Sequence, residues 1–493
     1  MFANRNRSKT PFSKSQLLFL ALIMFVAGCQ PAKTATSAPP TVTATVTPLP
    51  ATTAPRTVVE SQPVPGGPVL LRSGIDVRNI AILDGGSIKL ALHPKTGDIY
   101  VLNPRAGLRK IEISTSYHPE LVATPMDIVE SANLSGMAFG PDGTLYIVAN
   151  RVVDLVYTQA IIRKGSPDPN GGFQWSTLAQ TEKYPLSNTP FDHLFNGIVV
   201  SPDGKWVYVN SGSRTDHGEE ETNAKKFRGV REVALTAKIF RIPANTQDMV
   251  LENDETKLNA QGLIFASGTR NSYDLAFAPN GDLFAGDNGP DADFPDELNW
   301  LREGHHYGFP WQFGNQDNPQ QFPDYTSIND KRLSSDFTAV QIGAYRRDPD
   351  FPKSPSGFTL PVANLGPDAA IYRADDGSEH NAAKENIQLN TFTPHRSPLG
   401  LTFITSTEMP GDFQGSDSTF SAFILSWGAA GGTLSDKGQD LLHLQLTKRG
   451  DNYEAVTTQI ARGFGNPIDS VLIGNRLFVL DFTSGSLWEL TFK

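Results

Sequence analysis

Short runs of alternating apolar and polar residues recur along the chain, and a tight turn divides each run into two halves. Residues 136–146, for example, place a strand-like segment on each side of Pro141-Asp142-Gly143. Proline presets φ at the turn, and Asp-Gly or Asn-Gly tolerates the positive φ that follows, so each run predicts a β-hairpin. Six units show the pattern: residues 88–100, 136–146, 197–208, 273–284, 400–403 with 420–425, and 469–480.

A further outward strand follows several of these hairpins, at residues 238–242, 441–446 and 486–490. Single hairpins are marginally stable in water, whereas hairpins stacked radially bury both of their faces. The sequence therefore predicts an all-β fold, a six-bladed β-propeller over residues 68–493. A double β-sandwich is the alternative, but it does not explain why one turn signature is copied along the chain.

The N-terminal segment has a different pattern. A basic stretch over residues 5–14 precedes an apolar run over residues 17–26, which is too short for a permanent membrane span but suits a signal peptide. Valine, alanine and glycine come directly before Cys29, as in a bacterial lipobox. We therefore predict a lipoprotein signal peptide over residues 1–28 and acylation of Cys29. An ordinary secretory signal with an incidental cysteine is the alternative.

Residues 29–67 are rich in threonine, proline and alanine and carry almost no charge. Such a segment cannot bury enough apolar surface to fold, so we predict a disordered tether. Together with the signal, this indicates an exported protein of the cell envelope, anchored to the membrane through an N-terminal lipid only.

Composition excludes some functions. The chain of 493 residues has 42 Lys and Arg against 52 Asp and Glu, a net charge of −10. Removing residues 1–28, which carry four basic residues and no acid, makes the charge more negative. An acidic protein of this kind is a poor candidate for binding nucleic acid. A single cysteine excludes an intramolecular disulfide and a cysteine-based metal site.

An acidic loop at residues 287–299 is the strongest local signal. It holds several aspartates, an asparagine and a Gly289-Pro290 turn, and a turn rich in histidine and aromatic residues follows at 303–311. Carboxylate, amide and carbonyl oxygens are the ligands that Ca²⁺ prefers. A solvated acidic loop is the alternative.

The motifs Gly-Pro, Asp-Glu-Leu-Asn and Tyr-Gly-Phe-Pro within residues 289–310 resemble those of the soluble glucose/sorbosone dehydrogenase family. Members of that family are six-bladed propellers that use pyrroloquinoline quinone (PQQ) and Ca²⁺ to oxidise sugars. Residues 193–204, 270–277 and 397–403 also resemble family segments, so the similarity extends over most of residues 80–493.

The resemblance implies roles for individual residues. His193 stands where the family has its catalytic base, and a neutral imidazole can take the sugar hydroxyl proton. Arg270 stands where the family stabilises the negative charge that develops on the quinone. The implied cofactor contacts are Arg270, Asn271 and Arg396. The implied calcium ligands are the carbonyls of Gly289 and Pro290, with a second calcium site at Glu297 and Tyr307.

The chain departs from the family where the PQQ carboxylates are bound. Residues 466–469, Asn-Pro-Ile-Asp, replace an Arg-x-Arg-Asp run, and Ser426-Trp427 begins the segment that replaces a Lys-Arg pair. A tricarboxylate needs several cationic partners. The cations that could compensate are Arg214, Arg396, Lys437 and Arg462.

The sequence thus predicts a PQQ- and Ca²⁺-dependent dehydrogenase that oxidises an aldose at the anomeric carbon to a lactone. Its partners would be a small sugar and an electron acceptor outside the cytoplasm. Two alternatives stay open: a propeller without cofactor that binds a glycan or a protein, and a Ca²⁺-dependent lactonase-type hydrolase.

Overall fold

The computed structural model describes residues 66–114, 116–355, 357–416, 418–428 and 432–493. The predicted signal peptide, Cys29 and all but the last two residues of the predicted tether lie outside this part of the chain. No helix within the described ranges is long and apolar enough to cross a membrane.

Six main sheets are arranged as the blades of a β-propeller, which confirms the predicted fold. The innermost strand of each blade contacts that of the next, and the last contacts the first, so the ring is closed. Blade 1 comprises Lys89–Leu92, Ile99–Asn103, Gly107–Ile111 and Pro119–Ala123. Blade 2 comprises Asn133–Phe139, Leu145–Val153, Tyr157–Pro167 and Phe173–Thr181, with Tyr184–Pro185 and Met249–Leu251 added at its outer side.

The remaining blades follow in chain order. Blade 3 comprises Phe195–Val200, Trp206–Ser211, Lys238–Pro243 and Ile264–Ser267, with His305–His306 at its edge. Blade 4 comprises Asp274–Phe277, Leu283–Asp287 and Glu297–Leu301. Blade 5 comprises Pro398–Phe403, Thr419–Ser426, Asp440–Arg449 and Asn452–Arg462, with Val69–Leu70 and Ala363–Pro367 beside it. Blade 6 comprises Pro467–Ile473, Arg476–Asp481, Ser486–Phe492 and Ile75–Ile82.

Helices in the described ranges are short and lie in the connections between strands. They are Pro125–Ile128, Glu255–Ala260, Thr338–Gln341 and Ala382–Glu385, with 3₁₀ turns at Pro319–Gln321 and Ser327–Asn329. Two small hairpins, Gln312–Phe313 with Gln316–Asp317 and Ile371–Arg373 with Glu379–Asn381, complete the long insertion between blades 4 and 5.

All six predicted hairpins are present as the first two strands of the six blades. Pro141, Pro202 and Pro279 each lie in the turn between the first and second strand of their blade, as predicted. The predicted outward strands are the third strands of blades 3, 5 and 6.

Blade 6 is built from both ends of the described chain. Its outer strand, Ile75–Ile82, pairs antiparallel with the C-terminal strand Ser486–Phe492, so that Ile75 lies opposite Phe492. No local pattern in the sequence predicts this pairing. It explains how the first and last blades are joined into one ring.

A buried lysine connects blades across the central channel. Nζ of Lys89, on the innermost strand of blade 1, lies 2.8 Å from Oδ1 of Asp274 in blade 4 and 4.0 Å from Oδ2 of Asp469 in blade 6. Burial opposes the charge of Lys89, but Asp274 and Asp469 outweigh it and raise the lysine pKa. Each carboxylate also accepts a backbone N–H, from Leu401 in blade 5 and Leu90 in blade 1 respectively.

Replacing this lysine with an apolar side chain of similar length should destabilise the whole propeller. Lys89→Met leaves the buried Asp469 and the half-buried Asp274 without their cation, and removing one partner of a buried ion pair costs about 3–5 kcal/mol. We expect the free energy of unfolding, measured by urea denaturation with tryptophan fluorescence, to fall by that amount. The control is Lys205→Met, since Lys205 pairs with Asp203 on the surface and should lose less than about 1 kcal/mol. Equal losses in both variants would contradict this role of Lys89.

Candidate functional site

His193 and Arg270 are far apart in sequence but meet at one site. They lie just before the first strands of blades 3 and 4, and Ser213 joins them. The N–H of His193 donates to the Ser213 carbonyl at 3.0 Å, and the N–H of Ser213 donates to the Arg270 carbonyl at 2.7 Å. A Cβ at the neighbouring Gly212 would lie 2.4 Å from Cβ of His193, so this close approach requires glycine.

The hydrogen bonds around His193 define its tautomer. Nδ1 lies 3.0 Å from the Ser213 hydroxyl and 3.3 Å from the Ser213 carbonyl, which can only accept. The hydroxyl itself donates to the Thr215 carbonyl at 2.7 Å, so it too accepts from His193. The proton is therefore on Nδ1, and Nε2 keeps its lone pair.

Burial, together with the charge of Arg270, lowers the pKa of His193 to about 3. The imidazole is consequently neutral across the physiological range. A neutral imidazole with a lone pair on Nε2 is the form that a general base requires.

Arg270 is held by Asp216. Its Nη2 donates to Oδ1 of Asp216 at 2.6 Å, and its Nε donates to the Asp216 carbonyl at 2.7 Å. Its Nη1 makes one longer contact, 3.2 Å to the carbonyl of Asn288. Burial opposes the charge of Arg270, but Asp216 and Asp291 raise its pKa, so the guanidinium stays charged.

Sequence reasoning missed Asp216, which organises this part of the site. Its Oδ2 also lies 2.8 Å from Nδ1 of His217 and accepts from the Tyr345 hydroxyl at 3.2 Å. The ring of Tyr345 stacks on His217 with centroids 3.8 Å apart. The available signal was the insertion between the second and third strands of blade 3, where residues 214–221 carry six ionisable side chains in a row of eight.

The acidic loop is tied to its neighbours by two aspartates. Asp287 accepts the backbone N–H groups of Arg270 and Asn271. Asp296 accepts the N–H of Gly289 through Oδ1 and that of Ser397 through Oδ2, both at 2.7 Å. The loop is therefore fixed to the entries of both blade 4 and blade 5.

Asn271, predicted to contact the cofactor, lies beside Arg270 in the structure. Its Oδ1 accepts from Nδ2 of Asn196 at 2.9 Å, which links the entries of blades 4 and 3. The structure thus brings His193, Arg270 and Asn271 close together, and Nη1 of Arg270 reaches the Asn288 carbonyl next to the Gly289-Pro290 turn.

A small cavity of about 10 Å³ lies under the acidic loop. That is about the room one water or one monatomic ion needs. Its lining includes the predicted metal residues Gly289, Glu297 and Tyr307, together with Arg270, Asp287 and Asn288. Glu297 and Tyr307 therefore do face the same small space.

The electrostatics of this cavity suit a cation. Burial, reinforced by Asp287, raises the pKa of Glu297 to about 8, and burial raises that of Asp287 to about 6. The Oδ1 atom of Asn288 is buried and has no hydrogen-bond partner in the described part of the chain. The carboxyl groups of Asp287 and Glu297 disfavour each other's charge, and a bound cation would relieve this repulsion. Together with the amide oxygen of Asn288 they form a set of oxygen donors that fits a hard cation such as Ca²⁺.

Other predicted ligands are already engaged. The Tyr307 hydroxyl donates to the Trp300 carbonyl at 2.5 Å and accepts the Arg302 N–H, and the Pro290 carbonyl accepts the Ala292 N–H at 2.7 Å. Within the described ranges, no three His, Cys, Asp or Glu side chains are grouped so as to hold a metal ion. A cation here would depend on Glu297, Asp287, Asn288 and carbonyl oxygens, and calcium binding stays a prediction.

The structure places Arg396 differently from expectation. Its guanidinium is 1% exposed and donates to Asp440 at 2.5 Å, to Ser426 and to Asp436. Two buried aspartates neutralise this arginine, so its placement argues against the predicted contact with a cofactor.

Two of the other cations that could replace the missing arginines, Arg214 and Lys437, also have partners of their own. Arg214 is buried and donates to five backbone carbonyls, and Nζ of Lys437 binds the Gly432 carbonyl. The residues present fit a quinone at one end, where the charged Arg270 lies beside the neutral imidazole of His193. The carboxylates of PQQ would need a further cation.

Comparison with known proteins agrees with this geometry. The family model described as glucose/sorbosone dehydrogenase matches residues 177–336. That interval contains His193, Arg270, the Gly289-Pro290 turn, Glu297 and Tyr307. The match confirms the resemblance to this family that the sequence predicted, and the propeller is the fold that the resemblance implies.

Among individual relatives, quinoprotein glucose dehydrogenase B from Acinetobacter calcoaceticus is 24% identical over 268 residues, which are 48% of this chain and 51% of that protein. The similarity thus spans about half the length of this curated relative.

Two solved structures share the fold. The soluble aldose sugar dehydrogenase of Escherichia coli, in its apo form, has a TM-score of 0.53 at 14% identity, covering 85% of this chain and 100% of that chain. The PQQ domain of pyranose dehydrogenase from Coprinopsis cinerea, in its holo form, has a TM-score of 0.51 at 13% identity, covering 85% and 96%.

Calcium should stabilise the protein through Glu297. A ligand that binds only the folded state adds about 2.7 kcal/mol at a hundred times its dissociation constant, so CaCl₂ should raise the melting temperature and a chelator should reverse this. Calcium must displace the proton of Glu297, whose pKa is about 8, so the shift should be larger above pH 8 than at pH 6. Differential scanning fluorimetry measures it.

Glu297→Gln should abolish most of the calcium-induced shift, whereas Glu120→Gln, on the exposed edge strand of blade 1, should retain it. An unchanged shift in Glu297→Gln would show that calcium binds elsewhere or not at all.

Proposed function

We propose that this chain is a PQQ-dependent dehydrogenase that oxidises an aldose at its anomeric carbon to the lactone. One observation carries the proposal: a neutral imidazole with a free Nε2 lone pair lies beside a buried arginine within the segment that matches the family model. Two similar proteins, a quinoprotein glucose dehydrogenase and the PQQ domain of a pyranose dehydrogenase, support the choice of cofactor.

The protein's own residues would act as follows. Nε2 of His193 takes the proton of the anomeric hydroxyl, while Ser213 holds the Nδ1 proton and so keeps the ring in its basic tautomer. When bound, PQQ supplies the carbonyl group that accepts the hydride. Arg270, kept charged and oriented by Asp216, stabilises negative charge at that end of the site. Arg270 and Asn271 are the residues that would hold the quinone there.

The cation site would complete the arrangement. In this proposal Ca²⁺ is held near the Gly289-Pro290 turn and by Glu297, with Tyr307 closing the cavity through its ring. The raised pKa of Glu297 and the unpaired oxygen of Asn288 support it, because a bound cation would relieve both.

Localisation is part of the same proposal. The signal-peptide pattern and Cys29 support an exported, lipid-anchored protein that passes electrons from the sugar to an acceptor outside the cytoplasm. A tether over residues 29–67 would hold the propeller away from the membrane surface.

A propeller that binds a glycan without a quinone is the second candidate. It is favoured by the pairing of Arg270 with Asp216 and of Arg396 with Asp436 and Asp440, which leaves neither guanidinium free for a cofactor carboxylate. A lactonase-type hydrolase is less well supported. It would need metal ligands that converge in the channel, but the aspartates that meet there, Asp274 and Asp469, already bind the ammonium group of Lys89.

Reconstitution tests the proposed activity. Protein incubated with PQQ and CaCl₂ should acquire the absorbance of the bound cofactor and reduce an artificial dye when an aldose is added. His193→Ala should lower kcat by about 10²–10⁴-fold, the usual contribution of a general base, while PQQ binding stays close to that of the wild type. His118→Ala, at an exposed position, is the control.

The pH profile gives a second check. Because the pKa of His193 is about 3, the wild-type rate should show no loss from protonation of this base between about pH 5 and pH 8. Binding of PQQ without any dye reduction by a range of aldoses would exclude the dehydrogenase, and failure to bind PQQ would leave the glycan-binding candidate.

The anchor is tested separately. Cys29→Ser removes the only thiol of the chain, so the protein should move from the detergent phase to the aqueous phase in Triton X-114 partitioning of expressing bacteria. The control is Ser37→Ala, also in the tether, which should stay in the detergent phase. Unchanged partitioning of Cys29→Ser would rule out acylation at this residue.

A further inference from the structure

A second histidine, His395, lies at the entry of blade 5 next to the acidic loop. Its Nε2 is 2.9 Å from Oδ1 of Asp293, and the other oxygen of Asp293 accepts from Nε of Arg373 at 2.7 Å. The side chain of His395 is 11% exposed and that of Asp293 only 2%. The sequence assigned none of these three residues an individual role, although Asp293 lies in the predicted acidic loop.

The structure attaches His395 to the same site as Arg270. Asp296 binds the N–H of Gly289 and the N–H of Ser397, so the segment that carries His395 is fastened to the Gly-Pro turn. Asp296 and Asp291 each lie near enough to both Arg270 and His395 to interact with their charges. The two residues therefore share one electrostatic environment.

His395 differs from His193 in its charge. Burial opposes protonation of His395, but the hydrogen bond to Asp293 and the charges of Asp293, Asp296 and Asp291 raise its pKa. Arg373 already balances Asp293, so a protonated His395 gives this trio a net charge of +1. The ring of Phe337, with its centroid 4.6 Å away, covers His395 from the insertion. The site thus combines an imidazole at 193 whose charge is disfavoured with one at 395 whose protonated form is favoured by its neighbours.

The nitrogen that faces away from Asp293 is the informative atom. Nε2 is committed to Asp293, whereas Nδ1 has no hydrogen-bond partner among the described residues. An imidazolium donates from both nitrogens, so Nδ1–H is available to an acceptor. A charge-assisted bond to a carboxylate is the strongest use of such a donor.

We propose that His395, held by Asp293, binds a carboxylate of the anionic cofactor through Nδ1 and supplies a cation that the Asn466–Asp469 segment does not. The inference rests on the proposed function, since PQQ is the carboxylate ligand it names. It assigns binding to His395 and positioning to Asp293.

The charge of His395 can be measured without any ligand. An NMR titration of ¹⁵N-labelled histidine, with the His395 signal assigned by its loss in His395→Gln, should give a pKa above the ordinary value of about 6.5. In Asp293→Asn the pKa should fall, because the carboxylate that stabilises the cation is gone. A wild-type pKa at or below the ordinary value would overturn the inference whatever the protein binds.

Cofactor binding completes the test. Isothermal titration with PQQ in saturating CaCl₂ should show an affinity that decreases as pH rises through the pKa of His395. His395→Gln should bind PQQ about 10-fold more weakly at pH 6, the size expected for one hydrogen bond to a charged group, and should lose that part of the pH dependence. The matched control is His380→Gln, which removes a surface histidine paired with Glu385 at 2.6 Å.

The outcomes separate the two proposals. If all three proteins bind PQQ alike, His395 is not a ligand and the dehydrogenase proposal stands. If none of them binds PQQ, both proposals fail. Weaker binding by His395→Gln alone, with the expected NMR titration, supports the inference.

Discussion

The ion pair between Lys89 and the two aspartates in the channel is the interaction on which the propeller depends. It joins blades 1, 4 and 6 directly. Asp274 also accepts the N–H of Leu401, which connects blade 5 to the same group of residues. Asp274 also lies four residues after Arg270, so the pair fixes the strand that presents this arginine. Buried charges of this kind require every partner, because an unpaired one is costly.

Pairing of buried charges also shapes the functional site. Asp216 balances Arg270, Asp293 balances Arg373 and pairs with His395, and no cation among the described residues forms an ion pair with Asp287 or Glu297. The surplus of acid under the loop favours a metal ion there. The same logic explains why two histidines differ: Arg270 disfavours the charge of His193, whereas Asp293 favours that of His395.

The sequence predicted features that depend on local chemistry. Pro-Asp-Gly and Pro-Asn-Gly turns revealed the hairpins, and the motifs around His193, Arg270 and Gly289 revealed residues that the fold brings together. The sequence did not predict partners that are distant along the chain. The strand at Ile75–Ile82 pairs with residues more than 400 positions later. Similarly, no pattern near Arg396 indicates that Asp436 and Asp440 are its partners. Asp216 was missed for a similar reason, since its charged insertion does not indicate that Arg270 and Tyr345 are its partners.

The fold explains why residues 466–469 keep the aspartate of the family segment although they lack its two arginines. In the family that the chain resembles, this segment opens the last blade with two arginines before an aspartate, and here only the aspartate, Asp469, is kept. Asp469 lies 4.0 Å from Nζ of Lys89 and accepts the N–H of Leu90. Its carboxylate therefore holds blades 1 and 6 together in the channel. Closure of the ring needs this acid whether or not arginines precede it. The absence of these arginines therefore leaves the propeller intact, and in the proposed function a cation for the cofactor carboxylates would come from another blade entry, that of His395.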